Sequence, residues 1–417
     1  MSCKGKRLLI LAGASVHLKL VETAQRMGVY TIVTDNVINS PAKRIADKAY
    51  DVDIFDVDGL EQICKIEKID GIVSGYIDPC QRPYYDVCER LGYYCYGTQE
   101  QFYKLTDKHA FKQLCVDYGV GIIPEFKADA IDSIDYPVFV KPVDSRGSRG
   151  QNVCYNYNQL NNAIDEASCE SSNGEIIIEK YMKYANEFQV TYFFVDGEPY
   201  LLRTCDSYCG SEKYNMSKVV ACSVSPSRFT DSYLRNAHKS VINMLKSIGI
   251  KNGPVFMQGF EDNGVFRFFD PGRRFPGVDY ERIYQRVFGI NLMETMIYLA
   301  LNGHCNIKSL PTNGVWLDGN RAAIMFPSVK AGRVASIKGI DRVINMNEVV
   351  SFLPRCSIGD TIAWSYNVNQ RSSEIDLLAN DTDSLKECID TIQSEYRLFD
   401  ENGNDMTLEL FDTNRII

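Results

Sequence analysis

The chain has 417 residues, too many for one compact core, with 45% apolar and 24% charged residues, so a folded protein of two or three domains is expected and bulk disorder is excluded. A formal charge of -9 disfavours a sequence-independent grip on nucleic acid, which needs a basic surface to displace counterions. The longest apolar runs, such as residues 7–14 (RLLILAGA), fall far short of the roughly 20 residues that cross a bilayer. The opening MSCKGK also lacks the apolar core of a secretory signal, so a cytoplasmic protein with no membrane partner is expected.

In chain order, residues 7–12 (RLLILA) predict a strand, Gly13-Ala14-Ser15 a turn, and residues 18–27 an amphipathic helix closed by Gly28. Residues 30–34 (YTIVT) and 71–74 (GIVS) read as further strands, and residues 60–67 and 84–91 as helices. This alternation predicts a parallel sheet covered by helices on both faces. The first turn, LAGASVHL, lacks the second and third glycines of a dinucleotide-binding fingerprint, which argues against an oxidoreductase. Fourteen cysteines are scattered from Cys3 to Cys388 without a CxxC pair, and there are only four histidines; reduced, buried thiols are expected rather than a Cys/His metal site.

Between Thr98 and Thr106 the alternation stops, and a helix capped by Thr106 is expected to run to Tyr118-Gly119, which places a domain boundary near residue 100. Two hairpins follow, one turning at Asp196-Gly197 and one at Asp262-Asn263-Gly264. From about Gly314 the chain is strand-rich (NRAAIMF, RVASI, GDTIAWSY) and ends in a helical stretch, DSLKECIDTIQSEY.

Three stretches could carry chemistry. In residues 137–150 (PVFVKPVDSRGSRG) a strand delivers Lys141, and a loop with Gly147, Ser148 and Gly150 could turn backbone NH groups towards an anion; a solvated hairpin turn explains the same residues. In residues 175–182 (EIIIEKYM) a buried strand hands over to Glu179, which could read a base edge or simply end the strand in water. Gln258 and Asp270 fall on the two strands of the second hairpin, where both would offer oxygen to a hard cation. Arg273 and Arg274 follow in FDPGRRFPG, either as a surface ion pair or as an anion clamp.

In this order, the pieces resemble the ATP-grasp superfamily of carboxylate-amine and carboxylate-thiol ligases, which includes biotin carboxylase, carbamoyl phosphate synthetase and the L-amino acid ligases. The resemblance implies a mixed α/β and α+β ATP-grasp fold: a Rossmann-like preATP-grasp domain over residues 1–104, an ATP-grasp domain over 105–309 and a strand-rich C-terminal subdomain over 310–417. It implies that Lys108 (TDKHAFK) and Lys141 bind phosphate oxygens under a loop at residues 145–150 that includes Ser148. Glu179, Lys180 and Met182 would meet adenine, and Glu187 (ANEFQV) the ribose. Gln258 and Asp270 would hold the metal, Lys218 (SKVVA) would approach the transferred phosphate, and Arg274 would meet the carboxylate substrate; Arg273 would do the same or face solvent.

Two departures stand out: Asp270 replaces the usual glutamate and Gly272 the usual asparagine, which leaves a second magnesium open. The implied cofactors are ATP with Mg2+ or Mn2+, and the implied partners are a small carboxylate and an amine, with room for a homodimer. The implied activity is ATP-dependent ligation through an acyl phosphate. A bicarbonate-activating enzyme of the carbamoyl phosphate synthetase kind, or an ATP-binding regulatory protein without turnover, are the alternatives.

Overall fold

The aliphatic run at Arg7–Leu11 (β1) is buried on both faces, as suits the interior of a helix-covered parallel sheet. In the computed structural model, which describes residues 2–126, 134–143, 150–183, 185–214, 216–278 and 280–417, β1 is flanked by β2 (Tyr30–Thr34) and by β4 (Gly71–Val73), with β3 (Lys48–Tyr50) outside β2. All three pairings are parallel, as the alternation predicts. Helices α1 (Leu18–Arg26), α2 (Val57–Glu67) and α3 (Gln81–Leu91) accompany the sheet.

The break after Thr98 hides a short helix, α4 (Gln99–Lys104), started by a capping box between Thr98 and Gln101. Thr106 is not a cap: its hydroxyl donates to the carbonyl of Phe102 at the end of α4, while Asp107 accepts from the Ala110 amide and caps α5 (Lys108–Asp117). Both residue types cap helices, and the hydroxyl one place earlier is used by the preceding helix. Strands β5 (Gly121–Ile122), β6 (Glu125–Phe126), β7 (Val138–Pro142), β8 (Asn152–Cys154) and β9 (Ile176–Lys180), with α6 (Tyr157–Glu170), come next. All but β5 form a small sheet in the order β6-β9-β7-β8, packed on α6 through Val138, Val140, Leu160 and Ile178.

Strands β10 (Asn186–Val195) and β11 (Glu198–Cys209) turn at Asp196-Gly197, both with positive φ, as the predicted two-residue hairpin requires. After β12 (Val220–Ser225), α7 (Thr230–Asn236) and α8 (His238–Ser247), the second hairpin joins β13 (Gly253–Asp262) to β14 (Val265–Gly272). Helices α9 (Tyr280–Phe288) and α10 (Leu292–Asn302) lead to β15 (Arg321–Met325). The strand-rich tail does not make a sheet apart: β15 and the strands Ser373–Ala379 and Val349–Pro354 continue beyond β12. The resulting nine-stranded sheet ends at β14 and β5.

One face of this sheet packs Phe188, Val190, Met257 and Phe268 against α5, α7 and α8. The other meets the small sheet across a cleft. Among the described residues no helix is long and apolar enough to cross a membrane.

Candidate functional site

The cleft has a volume of about 990 Å3, and Lys108, Lys141, Glu179, Lys180, Met182, Glu187, Lys218, Gln258 and Asp270 all lie on its wall. Nine positions spread over more than 160 residues of sequence thus share one cavity, because α5, the small sheet and the large sheet converge there. Ser148 falls outside the described residues.

Lysines dominate one end. Lys108 opens α5, and burial together with the charge of Lys141 pushes its ammonium below the usual lysine range. Lys141, at the end of β7, donates to Glu179 Oε2 at 2.6 Å. Glu179 Oε1 accepts from Lys112, which also pairs with Glu125. Burial alone would raise the Glu179 carboxyl, but Lys141 and Lys112 outweigh it and hold the group below the usual carboxylate range. Both Glu179 oxygens are therefore taken by lysines rather than turned to a base edge. Lys112 escaped the sequence reading, although its spacing of four from Lys108 puts the two on one helix face.

Gln258 and Asp270 lie on adjoining strands, as expected, and a register shift between Gln258 and Gly259 brings them directly opposite. Burial, and then the charge of Asp78, raise the Asp270 carboxyl, although Arg274, Lys108 and Lys141 pull the other way. No hydrogen bond or ion pair involving Asp270 occurs among the described residues, and its half-buried side chain lines the cleft, open to a partner. One carboxylate beside an amide oxygen fits a magnesium ion that takes its other ligands from phosphate and water.

Gly272 faces Phe256 across the same hairpin: a Cβ there would lie 2.1 Å from the ring. The ring fills the space that an asparagine side chain would need.

The two arginines part company. Arg273 is neither solvent-facing nor substrate-facing: it is fully buried, and its guanidinium donates to the carbonyls of Pro254 at 2.6 Å, Tyr96 at 2.8 Å and Asn252. Buried charge is tolerated only where donors are spent in this way. Arg274 lies outside the cavity wall, over the Phe256 ring at 4.6 Å. It meets a carboxylate, but that of Asp78, through Nε at 2.6 Å and Nη2 at 2.5 Å.

Glu187 is strongly perturbed. Its Oε1 accepts from the Cys209 thiol at 3.4 Å, its buried Oε2 has no partner among the described residues, and burial pushes the carboxyl up to about 7. An orphaned acceptor facing the cleft fits a ligand that brings hydroxyl donors. Lys218 donates to the Gln151 carbonyl at 3.2 Å and lies over Phe139 at 5.4 Å, and burial lowers its ammonium. Met182 is buried and Lys180 exposed; the backbone amides of Lys180 and Tyr181 are committed to the carbonyls of Pro124 and Pro137.

Residues 107–305 match the family model described as carbamoyl-phosphate synthase L chain, ATP binding domain. The phosphoribosylglycinamide synthetase from Anaerococcus prevotii superposes with a TM-score of 0.75 at 17% identity, over 95% of this chain and 100% of that one. The chain has the ATP-grasp fold.

The ATP-grasp fold is shared equally with the L-amino acid ligase from Bacillus licheniformis, at a TM-score of 0.76 and 17% identity over 96% and 100% of the two chains. It is also shared with the biotin carboxylase domain of the Hydrogenobacter thermophilus 2-oxoglutarate carboxylase, solved as a dimer with MgADP and bicarbonate: TM-score 0.76, 16% identity, 96% and 91% covered. By sequence, the ATP-grasp chain is 27% identical over 210 residues to a formate-dependent phosphoribosylglycinamide formyltransferase from Sulfurisphaera tokodaii, covering 48% of this chain and 53% of the relative. The enzyme of that name from Francisella tularensis subsp. novicida is 25% identical over 287 residues, 63% and 69% of the two. The chain thus spans about half the length of most of the curated relatives it matches.

Proposed function

We propose that this protein is an ATP-dependent ligase that activates a small carboxylate as an acyl phosphate and passes the acyl group to an amine. The observation that carries the reading is the single cavity of about 990 Å3 with lysines at one end, an unpartnered Asp270 opposite Gln258, and the orphaned oxygen of Glu187. In this reading Lys108 and Lys141 hold the phosphates, Glu187 takes ribose hydroxyls, Lys180 and Met182 border the base, and Asp270 with Gln258 holds the metal. A carboxylate is a poor electrophile, and phosphorylation gives it a leaving group provided that charge gathering on the phosphoryl oxygens is neutralised. Magnesium bound with ATP would supply part of that neutralisation. Lys218 and Arg274 would supply the rest from the protein, Arg274 by exchanging Asp78 for the substrate carboxylate.

Residues 1–104, 105–309 and 310–417 are proposed as the functional divisions, and a homodimer as the assembly. Fourteen free cysteines, most of them buried, support a reducing cytoplasm. The test is ADP release with ATP and magnesium from a panel of paired carboxylates and amines, starting with formate because the curated relatives are named formate-dependent. Release that needs both partners is the expected result. Nucleotide binding without substrate-stimulated ADP sinks the ligase reading, and bicarbonate stimulation that no amine enhances replaces the acyl phosphate with carboxyphosphate.

A further inference from the structure

Lys112 lies off the cavity wall, yet it sits within a chain of four charges, Glu125–Lys112–Glu179–Lys141, of which all but the solvent-facing Glu125 are buried. We propose that Lys112 is a positioning residue for nucleotide binding: it stays with Glu179 when Lys141 turns to a phosphate, and so makes Lys141 available. The inference rests on the nucleotide-binding reading above and adds a residue and a job to it.

The side chains of Lys112, Glu179 and Lys141 are 7%, 2% and 7% exposed, so water cannot stand in for a missing partner. Glu179 divides its two oxygens, one to each lysine. Were Lys141 its sole counter-ion, moving that ammonium onto a phosphate would strand a buried carboxylate, and the cost would be charged against nucleotide affinity. With Lys112 in place, Glu179 keeps a partner throughout. Helix α5 therefore serves the cleft twice, offering Lys108 to the cavity and Lys112 to the acid behind it.

A plainer role is also built in. Glu125 and Glu179 stand opposite each other on β6 and β9, where like charges repel, and Lys112 pairs with both. If that were all, its loss would lower stability and leave nucleotide affinity alone in whatever folds.

The experiment measures the affinity for a non-hydrolysable ATP analogue with magnesium by calorimetry, with Tm recorded for every variant. Lys112→Gln should weaken binding by about tenfold or more, because Glu179 then holds Lys141. Lys112→Arg should bind close to wild type. The double variant Lys112→Gln/Glu179→Gln should regain most of the lost affinity, since no carboxylate competes for Lys141, a rescue that structural support alone does not give. Unchanged affinity in Lys112→Gln, or a double variant as weak as the single one, overturns the proposal. Should Lys112→Gln fail to fold, Glu179→Gln alone decides: binding at least as tight as wild type is expected, and weaker binding overturns it. If the wild-type protein binds no nucleotide, it is the ligase reading that falls.

Discussion

Glu187 keeps its carboxyl in the cleft wall with one thiol donor and one orphaned oxygen, and the consequence is a pH dependence of known sign. Its folded value, about 7, lies above its ordinary 4.5. Below the lower value the group is protonated in both states and folding carries no penalty. As pH rises from 4.5 to 7 the unfolded chain ionises while the folded one resists, so stability falls across that window and then levels. Glu187→Gln should therefore raise Tm at pH 8, by the equivalent of roughly 1–3 kcal/mol, and change it little at pH 4.5. A variant equally stable to wild type at pH 8 would place water or another donor at Oε2.

At the same scale, Lys141→Ala should weaken nucleotide binding, because a cation fixed at the end of β7 is lost. Asp270→Asn should abolish metal-dependent phosphoryl transfer while nucleotide binding without metal persists. Titration of Mn2+ in the presence of nucleotide separates the two effects. Since burial raises the Asp270 carboxyl, the metal affinity of the wild type should fall with acidity before an ordinary aspartate would protonate.

Among the elements, the β13/β14 hairpin shows what a sequence can and cannot disclose. The turn at Asp262-Asn263-Gly264 placed Gln258 and Asp270 near one another on adjoining strands, which was readable from spacing, but their direct pairing comes from a register shift between Gln258 and Gly259, which was not. The contact of Phe256 with Gly272 was not, because it depends on which way a ring turns after the strands have paired. The arginines carry a similar lesson: neighbours at the end of a strand tend to point opposite ways, so the adjacency of Arg273 and Arg274 already argued against one shared role. Which of them would be buried needed the carbonyls of Asn252, Pro254 and Tyr96, brought in from two distant segments. Lys112 was hidden for the same reason, its acids arriving from β6 and β9. Gly272→Asn should cost roughly 1–3 kcal/mol of stability by thermal unfolding, because the new side chain meets the Phe256 ring. Adding Phe256→Ala should recover part of the difference.

For the whole molecule, Asp78 and Arg274 join the crevice of the parallel sheet to the end of β14, with Tyr96 and Arg273 as a buried seam beside them, Tyr96 Oη donating to the Arg273 carbonyl at 2.8 Å. The Asp78 side chain is 38% exposed, so the ion pair adds only about 1 kcal/mol or less to stability. If Arg274 meets the carboxylate substrate as proposed, the larger effect would be on the substrate: Asp78 occupies the guanidinium that a carboxylate would need. Asp78→Asn should leave Tm almost unchanged and lower KM for the carboxylate in steady-state assays. A higher KM would mean that Asp78 orients Arg274 rather than competing for it.

The parallel sheet, both hairpins and the final helix were legible in periodicity and turn residues. The sharing of one large sheet by the middle of the chain and its tail was not, since hydropathy says nothing about which strand pairs with which. That sharing limits how the protein can be cut. Because β15 covers the flank of β12, a version stopping before residue 321 would bare a row of unmatched amides and carbonyls along β12. Such a fragment, though it would keep every residue of the cleft except Arg415, should clump on expression, and the last hundred residues cannot be exchanged as a detachable cassette.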